Sequence, residues 1–170
     1  ELYNIEAIAS KVEDFNTANT LYKKGIAVMP ICFGISFTNT LMNQARSLVH
    51  VYTDGSVVIS TGAVEMGQGV NTKMLQVAAH VFSIKPERIK VNSTNTYRIA
   101  NTSPTAASAT ADLNGKATLN ACAAILVRLK ETAAAELNVA AGDVELKDEF
   151  VYVNGVKSEK KKKKLVVTTH

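Results

Sequence analysis

The sequence predicts an α+β fold: a mixed β-sheet with helices packed on it, in ββαβα order, followed by a small β unit. Three observations carry this. Residues 47–52 (Ser-Leu-Val-His-Val-Tyr) and 56–60 (Ser-Val-Val-Ile-Ser) are β-branched apolar runs separated by Thr53-Asp54-Gly55, and Asp-Gly is a strong hairpin signal. A helical period over residues 70–82 then separates the second strand from a third near 88–94. A long Ala-rich helical stretch over residues 104–137 leads into two short strand-like runs, 144–146 and 150–153. Strands and helices do not alternate strictly, so helices on a mixed sheet fit better than a purely parallel fold.

The remaining elements follow in order. Residues 2–15 place Ile5, Ile8, Ala9, Val12 and Phe15 at helical spacing with acids between them, the pattern of an amphipathic helix. Residues 16–19 read as a polar break. Residues 26–37 read as an irregular strand, because Pro30 removes a ladder donor and Gly34 marks a bulge or a close approach. Residues 39–45 connect this run to the hairpin, and residues 95–100 form a loop. Ser103 followed by Pro104 predicts an N-cap and first turn for the long helix. Asn114-Gly115 marks a break or kink inside it, since an interior glycine costs about 1 kcal/mol relative to alanine. Ala121, Ile125, Leu126 and Leu129 form its inner stripe, with Arg128, Lys130 and Glu131 outside. Asn154-Gly155 is a turn, and residues 165–168 begin a further strand. Three regions result: a helical lead-in (1–23), a central unit (24–141), and a small β unit with a Lys-rich loop (142–170).

The 170 residues are 46% apolar, ordinary for a globular chain, and hold no apolar run long enough to span a bilayer. The N-terminus lacks a secretory pattern, and both ends read as cut from something larger. The net charge of +4 is local in origin. Lys157, Lys160, Lys161, Lys162, Lys163 and Lys164 lie within eight residues; without them thirteen bases face fifteen acids, a balance of −2. The body is therefore not a basic nucleic-acid surface, and the Lys run, without aromatics, reads as a solvated loop. Cys32 and Cys122 share no metal spacing and make no disulfide framework, so both read as packing residues in a reducing compartment. His50, His80 and His170 share no ligand spacing.

The chemistry concentrates in two small-residue stretches. Residues 62–69 read Gly-Ala-Val-Glu-Met-Gly-Gln-Gly, between a strand and a helix. Such a turn presents backbone N–H groups at a helix start, where an anion is favoured. Residues 101–108 read Asn-Thr-Ser-Pro-Thr-Ala-Ala-Ser and open the second helix with small side chains and hydroxyls. Residues 62–69 lack the Gly-x-Gly-x-x-Gly spacing, and the chain lacks a Walker lysine motif, which argues against a nucleotide-binding domain.

Phe33-Gly34-Ile35-Ser36-Phe37-Thr38, His50-Val51-Tyr52-Thr53-Asp54-Gly55-Ser56, Glu65-Met66-Gly67-Gln68-Gly69 and Asn101-Thr102-Ser103-Pro104-Thr105-Ala106-Ala107-Ser108 together resemble the molybdopterin-binding region of the molybdenum hydroxylase family. That family comprises xanthine dehydrogenases and aldehyde oxidases. The resemblance covers residues 24–130. It implies a cofactor-binding role for Gly67, Gln68, Gly69, Thr105, Ala106, Ala107 and Ser108. It implies substrate contacts for Phe37 and Thr38, and a place near molybdenum, not as a ligand, for Gln68. Phe-Gly-Ile-Ser-Phe-Thr looks more like the xanthine dehydrogenase branch. The implied reaction is then oxidation of hypoxanthine or xanthine in purine catabolism: molybdenum-bound hydroxide attacks a ring carbon and hydride passes to a sulfido ligand. Aldehydes and other N-heterocycles stand as alternative substrates.

The resemblance also implies iron–sulfur clusters and FAD in other domains or subunits, partnership with those segments, a cytoplasmic location, and neither nucleic acid nor membrane as partner. The family's upstream Arg-and-Phe glycine motif and downstream Gly-Glu motif are absent from the chain. No residue here matches the general base, so no catalytic residue is assigned, Glu65 reads as structural, and the isolated piece is expected to be an inactive module. Gly62-Ala63-Val64 departs from the family's Gly-Gly-Thr, and Tyr97-Arg98-Ile99 from a proline-containing loop.

Overall fold

The computed structural model describes residues 4–31, 37–106 and 108–158. The chain divides into two compact units, Glu1–Phe33 and Gly34–His170. In the first, helix α1 spans Ile5–Ala18, with the Asn4 side chain accepting from the Ala7 N–H and Asn19 closing its end. The helix therefore runs through most of the expected polar break. Asn16 explains this: its side chain is engaged by the backbone of Lys24, in both directions, rather than competing with the helix. No residue of α1 is buried. Residues 26–31 form no strand, against expectation; they are exposed, and among the described residues no strand supplies the ladder that an extended run needs. Residues 32–36, the rest of that stretch apart from Phe37, lie outside the described residues.

The second unit is built on the hairpin. Strands β1 (Ser47–Val51) and β2 (Val57–Thr61) pair antiparallel, with Val49 opposite Ile59. The turn closes through Gly55 at φ 78° and an Asp54 carboxylate that accepts from the Ser56 N–H and hydroxyl. Helix α2 (Val70–Phe82) follows, then a 3-10 turn over Pro86–Arg88 and strand β3 (Ile89–Val91) parallel to β2. The sheet order β1-β2-β3 is thus mixed, as the sequence predicts. Val49, Val57, Ile59 and Ile89 bury one face of it against Ala78 and Phe82 of α2 and Cys122 and Leu129 of the long helix α3 (Ala109–Leu137). Each large apolar side chain buried here contributes about 1.5–3 kcal/mol.

Two expectations for α3 are corrected. It begins at Ala109, not at Pro104, and its N-cap is Ser108 in the left-handed region (φ 56°), not Ser103. It also passes Asn114-Gly115 without a break. A Cβ on Gly115 would stand 3.6 Å from Met74 Cε of α2, and the buried Asn114 amide donates to the Thr110 carbonyl one turn back within α3, so neither residue opens the helix. Of the expected stripe only Leu129 is buried; Ala121, Ile125 and Leu126 are half-buried against the core, and the buried face includes Thr110, Asn114, Thr118 and Cys122.

The small β unit is a meander, β4 (Val144–Lys147), β5 (Phe150–Val153) and β6 (Val156–Lys157). Asn154 (φ 49°) and Gly155 (φ 78°) make the second turn, the Asn-Gly hairpin that the sequence indicates. Val144 packs with Ala133 and Ala134 at the end of α3. Residues 165–168 and the lysines at 160–164 lie outside the described residues.

Candidate functional site

The glycine stretch leaves the central strand β2 and enters α2. Gly69 is the N-cap of α2 at φ 77°, and Gly67 sits at φ 96°, conformations open to glycine and costly for other residues. Nothing lies within 4 Å of a Cβ built on either. Residues 64–68 are exposed. The loop therefore turns an open face of backbone outward.

Its N-terminal half is pinned by threonines. The Ala63 N–H donates to Thr61 Oγ1 at 3.1 Å, and Thr94 Oγ1 donates to the carbonyls of Ala63 (2.6 Å) and Thr61 (3.0 Å). The Val64 N–H donates to Thr105 Oγ1 at 3.0 Å, across 41 residues of sequence. Gly62 lies against Thr102, whose side chain would collide with any Cβ there. The two motif stretches thus form one continuous wall. This joint also explains the late start of α3: residues 103–106 follow Thr105 to the glycine loop before the helix begins. Ala63, a departure from the family pattern, is accommodated, its methyl buried with Val70 and Met74. The Tyr97-Arg98-Ile99 segment turns on Asn95, whose side chain accepts from the Tyr97 N–H, and leaves Tyr97 fully exposed.

The C-terminal half is organised by side chains of its own. Glu65 Oε1 accepts from the N–H groups of Gly67 (3.0 Å) and Gly69 (2.9 Å), and Oε2 accepts from Asn71 (3.0 Å). These backbone donors, Asn71 first, hold the Glu65 carboxyl below its ordinary pKa. Three N–H groups at this helix start, where the sequence suggests an external anion, are therefore engaged by the protein's own carboxylate. Gln68 folds over the same loop: its Oε1 accepts from the Met66 N–H at 2.6 Å and its Nε2 donates to the Val64 carbonyl at 2.7 Å. One Nε2 hydrogen remains for another acceptor.

Of the other expected residues, Thr105 is half-buried, Ala106 and Ser108 are exposed, and Ala107 lies outside the described residues. Phe37 is half-buried, its N–H and carbonyl both held by the Asn43 side chain, and Thr38 is exposed. Among the described residues, the hydrogen bonds of Phe37 do not reach the glycine loop. Thr61, Thr94 and Thr102 were not singled out by the sequence reading. Thr102 falls inside a recognised motif, whereas Thr94 carries no local signal. No cluster of His, Cys, Asp or Glu able to hold a metal occurs among the described residues.

A family model described as the molybdopterin cofactor-binding domain matches residues 1–169. The chain belongs to that family. This molybdopterin-binding segment is 50% identical over 119 residues to a xanthine dehydrogenase of Dictyostelium discoideum, and 51% identical over 125 residues to the xanthine dehydrogenase/oxidase of Mus musculus. Those matches cover 70% and 74% of this chain but 9% of each relative, so the segment spans about a tenth of the proteins it resembles. Its fold is similar to that of CO dehydrogenase from Oligotropha carboxidovorans (TM-score 0.64, 27% identity, covering 71% of this chain and 15% of that one). The residues present fit a bound molybdopterin in one respect that the geometry supplies: apart from their chain neighbours, nothing stands within 4 Å of a Cβ position at Gly67 or Gly69, which leaves room for close approach beside the Thr105 segment. No helix of the described residues is long and apolar enough to cross a membrane.

Proposed function

We propose that this segment forms one wall of the molybdopterin site of a xanthine dehydrogenase-like hydroxylase whose substrate is hypoxanthine or xanthine. The observation that carries the reading is the Val64–Thr105 hydrogen bond, which joins the two family motifs into one surface. Gly67, Gly69, Thr105, Ala106, Ala107 and Ser108 would hold the cofactor through backbone groups and hydroxyls, and Gln68 would offer its remaining Nε2 hydrogen near the metal. Bound molybdopterin would supply a molybdenum centre that takes two electrons from the substrate. The chain's own work is to orient: the threonines pin the loop, the glycines keep side chains out of the approach, and Phe37 with Thr38 faces the substrate ring. Iron–sulfur clusters and FAD belong to other parts of the whole protein, which we place in the cytoplasm.

The isolated segment is proposed to be inactive. Its one carboxylate in the glycine loop is consumed by backbone donors, and the proton-transferring base must come from elsewhere in the enzyme. A second reading, another N-heterocycle as substrate, is favoured by the likeness to quinoline 2-oxidoreductase of Pseudomonas putida 86 (TM-score 0.55, 26% identity). The test of the site is Gln68→Ala in the complete enzyme. The expected result is lower turnover or lower molybdenum content; full values of both would overturn the assignment. For Phe37→Ala the expected result is a raised KM or lowered kcat for xanthine, and unaltered kinetics would remove Phe37 from the substrate site.

A further inference from the structure

We propose that Glu65 is a positioning residue, whose carboxylate sets the shape of the loop that presents Gln68. The inference rests on the functional reading of Gln68 given above. It begins with a gap in the helix start: Gly69, the N-cap of α2, has no side chain with which to cap it. Glu65, four residues earlier, supplies the missing acceptor and takes three backbone donors on two oxygens. This closes residues 65–71 into a ring. Inside the ring, Gly67 and Gly69 adopt positive φ, and glycine has the most conformational freedom to lose. The carboxylate is what holds them there. Gln68 lies between the two glycines, so its amide keeps its place only while both stay fixed. A glutamine at 65 cannot reproduce the arrangement, because its NH₂ end would face the N–H of Asn71, donor against donor. The same geometry predicts how ligand reaches the loop. The start of α2 already carries an anion, so contact comes through Gln68 and the outward peptide groups, not through a phosphate at that helix end.

The experiment compares Glu65→Gln, Gln68→Ala and the double variant with the unaltered complete enzyme. Hydrogen exchange of residues 64–71 is read in cofactor-free protein, and molybdenum content and kcat are read in loaded protein. The expected result is faster exchange at Gly67, Gly69 and Asn71 in Glu65→Gln, with kcat lower by on the order of 10- to 100-fold, the size of effect that a misplaced active-site group produces. The double variant should be no slower than Gln68→Ala alone, since both lesions remove one function. Fully additive losses would mean that Glu65 only caps the helix, and overturn the proposal. So would exchange and kcat in Glu65→Gln within twofold of the unaltered enzyme while Gln68→Ala is impaired. An unimpaired Gln68→Ala enzyme would instead overturn the functional reading of the loop. Should Glu65→Gln fail to accumulate, Glu65→Asp, one carbon too short to span the same donors, carries the same comparison.

Discussion

Glu65 and Cys122 illustrate how single side chains report their surroundings. The Glu65 carboxyl is held below its ordinary value by backbone N–H groups. A depressed pKa contributes stability that is present above the unfolded value of about 4.5 and lost as pH falls through the folded value. The amides of Gly67, Gly69 and Asn71 should therefore lose protection on acidification below pH 4.5, ahead of those in β2, measured by hydrogen exchange across a pH series. Burial pushes the Cys122 thiol up to about 11. A raised pKa works in the other direction: the neutral thiol costs nothing below the unfolded value of about 9, and stability falls as pH rises from there through about 11. Native protein should leave Cys122 unreactive toward a thiol reagent at pH 8, and denatured protein should react at once. Gly62 is a third case. Its Cβ would collide with Thr102, so Gly62→Ala should destabilise by about 1–3 kcal/mol in urea unfolding, although no positive φ is involved.

Among the elements, α2 and the β1–β2 hairpin were legible locally. The hairpin depends on contacts between near neighbours: Asp54 with Ser56, and the Tyr52 N–H with the Ser56 carbonyl. The end of α2 is marked by Ser83 in the left-handed region with Pro86 beyond it. Helix α3 departs from its local signals at two points for the same reason. Ser103-Pro104 is a good local start signal and Asn114-Gly115 a good local stop signal, but partners distant in sequence outweigh both: Thr105 meets Val64, and Gly115 meets Met74. This yields a prediction against intuition. Gly115→Ala should stabilise α3 by about 0.5–1 kcal/mol, because 3.6 Å to Met74 Cε is ordinary contact and alanine is the better helix former. The midpoint of chemical denaturation checks it; a lowered midpoint would mean that the α2–α3 contact is tighter than described.

At the scale of the whole second unit, a polar clasp joins the small β meander to the mixed sheet, beside the packing of Leu146 against the core. The β4–β5 turn holds Asp148 (φ 50°) and Glu149 (φ 66°) in the left-handed region without glycine. Ser83 stabilises it, its hydroxyl and carbonyl accepting from the N–H groups of Asp148 (2.9 Å) and Glu149 (2.8 Å). Arg88 then bridges Glu149, at 3.5 Å, and the Asp54 carbonyl, at 3.0 Å, packing against Gly55. The ion pair is partly exposed, so Arg88→Ala should cost about 1 kcal/mol or less. Its loss should appear as faster hydrogen exchange in β4 and β5 with β2 unchanged; equal loosening of both would show that the clasp serves the sheet itself.

The sequence by itself determined the α+β class, the order of elements, the hairpin, the extent of α2 and the identity of the two motif stretches. Each rests on periodicity or on residues within a few positions of one another, which a linear reading can see. Only the tertiary structure decided where α3 begins, that residues 26–31 join no sheet, and that Thr94 and Thr102 brace the glycine loop. It also decided the fate of the helix-start donors, where an internal carboxylate replaces the expected external anion. The start of α3 and the bracing of the loop depend on contacts 31 to 41 residues apart, such as Thr94 with Ala63 and Val64 with Thr105. The Glu65 arrangement spans only six residues; the sequence reads Glu65 as structural, but spacing alone does not say which backbone donors its carboxylate takes.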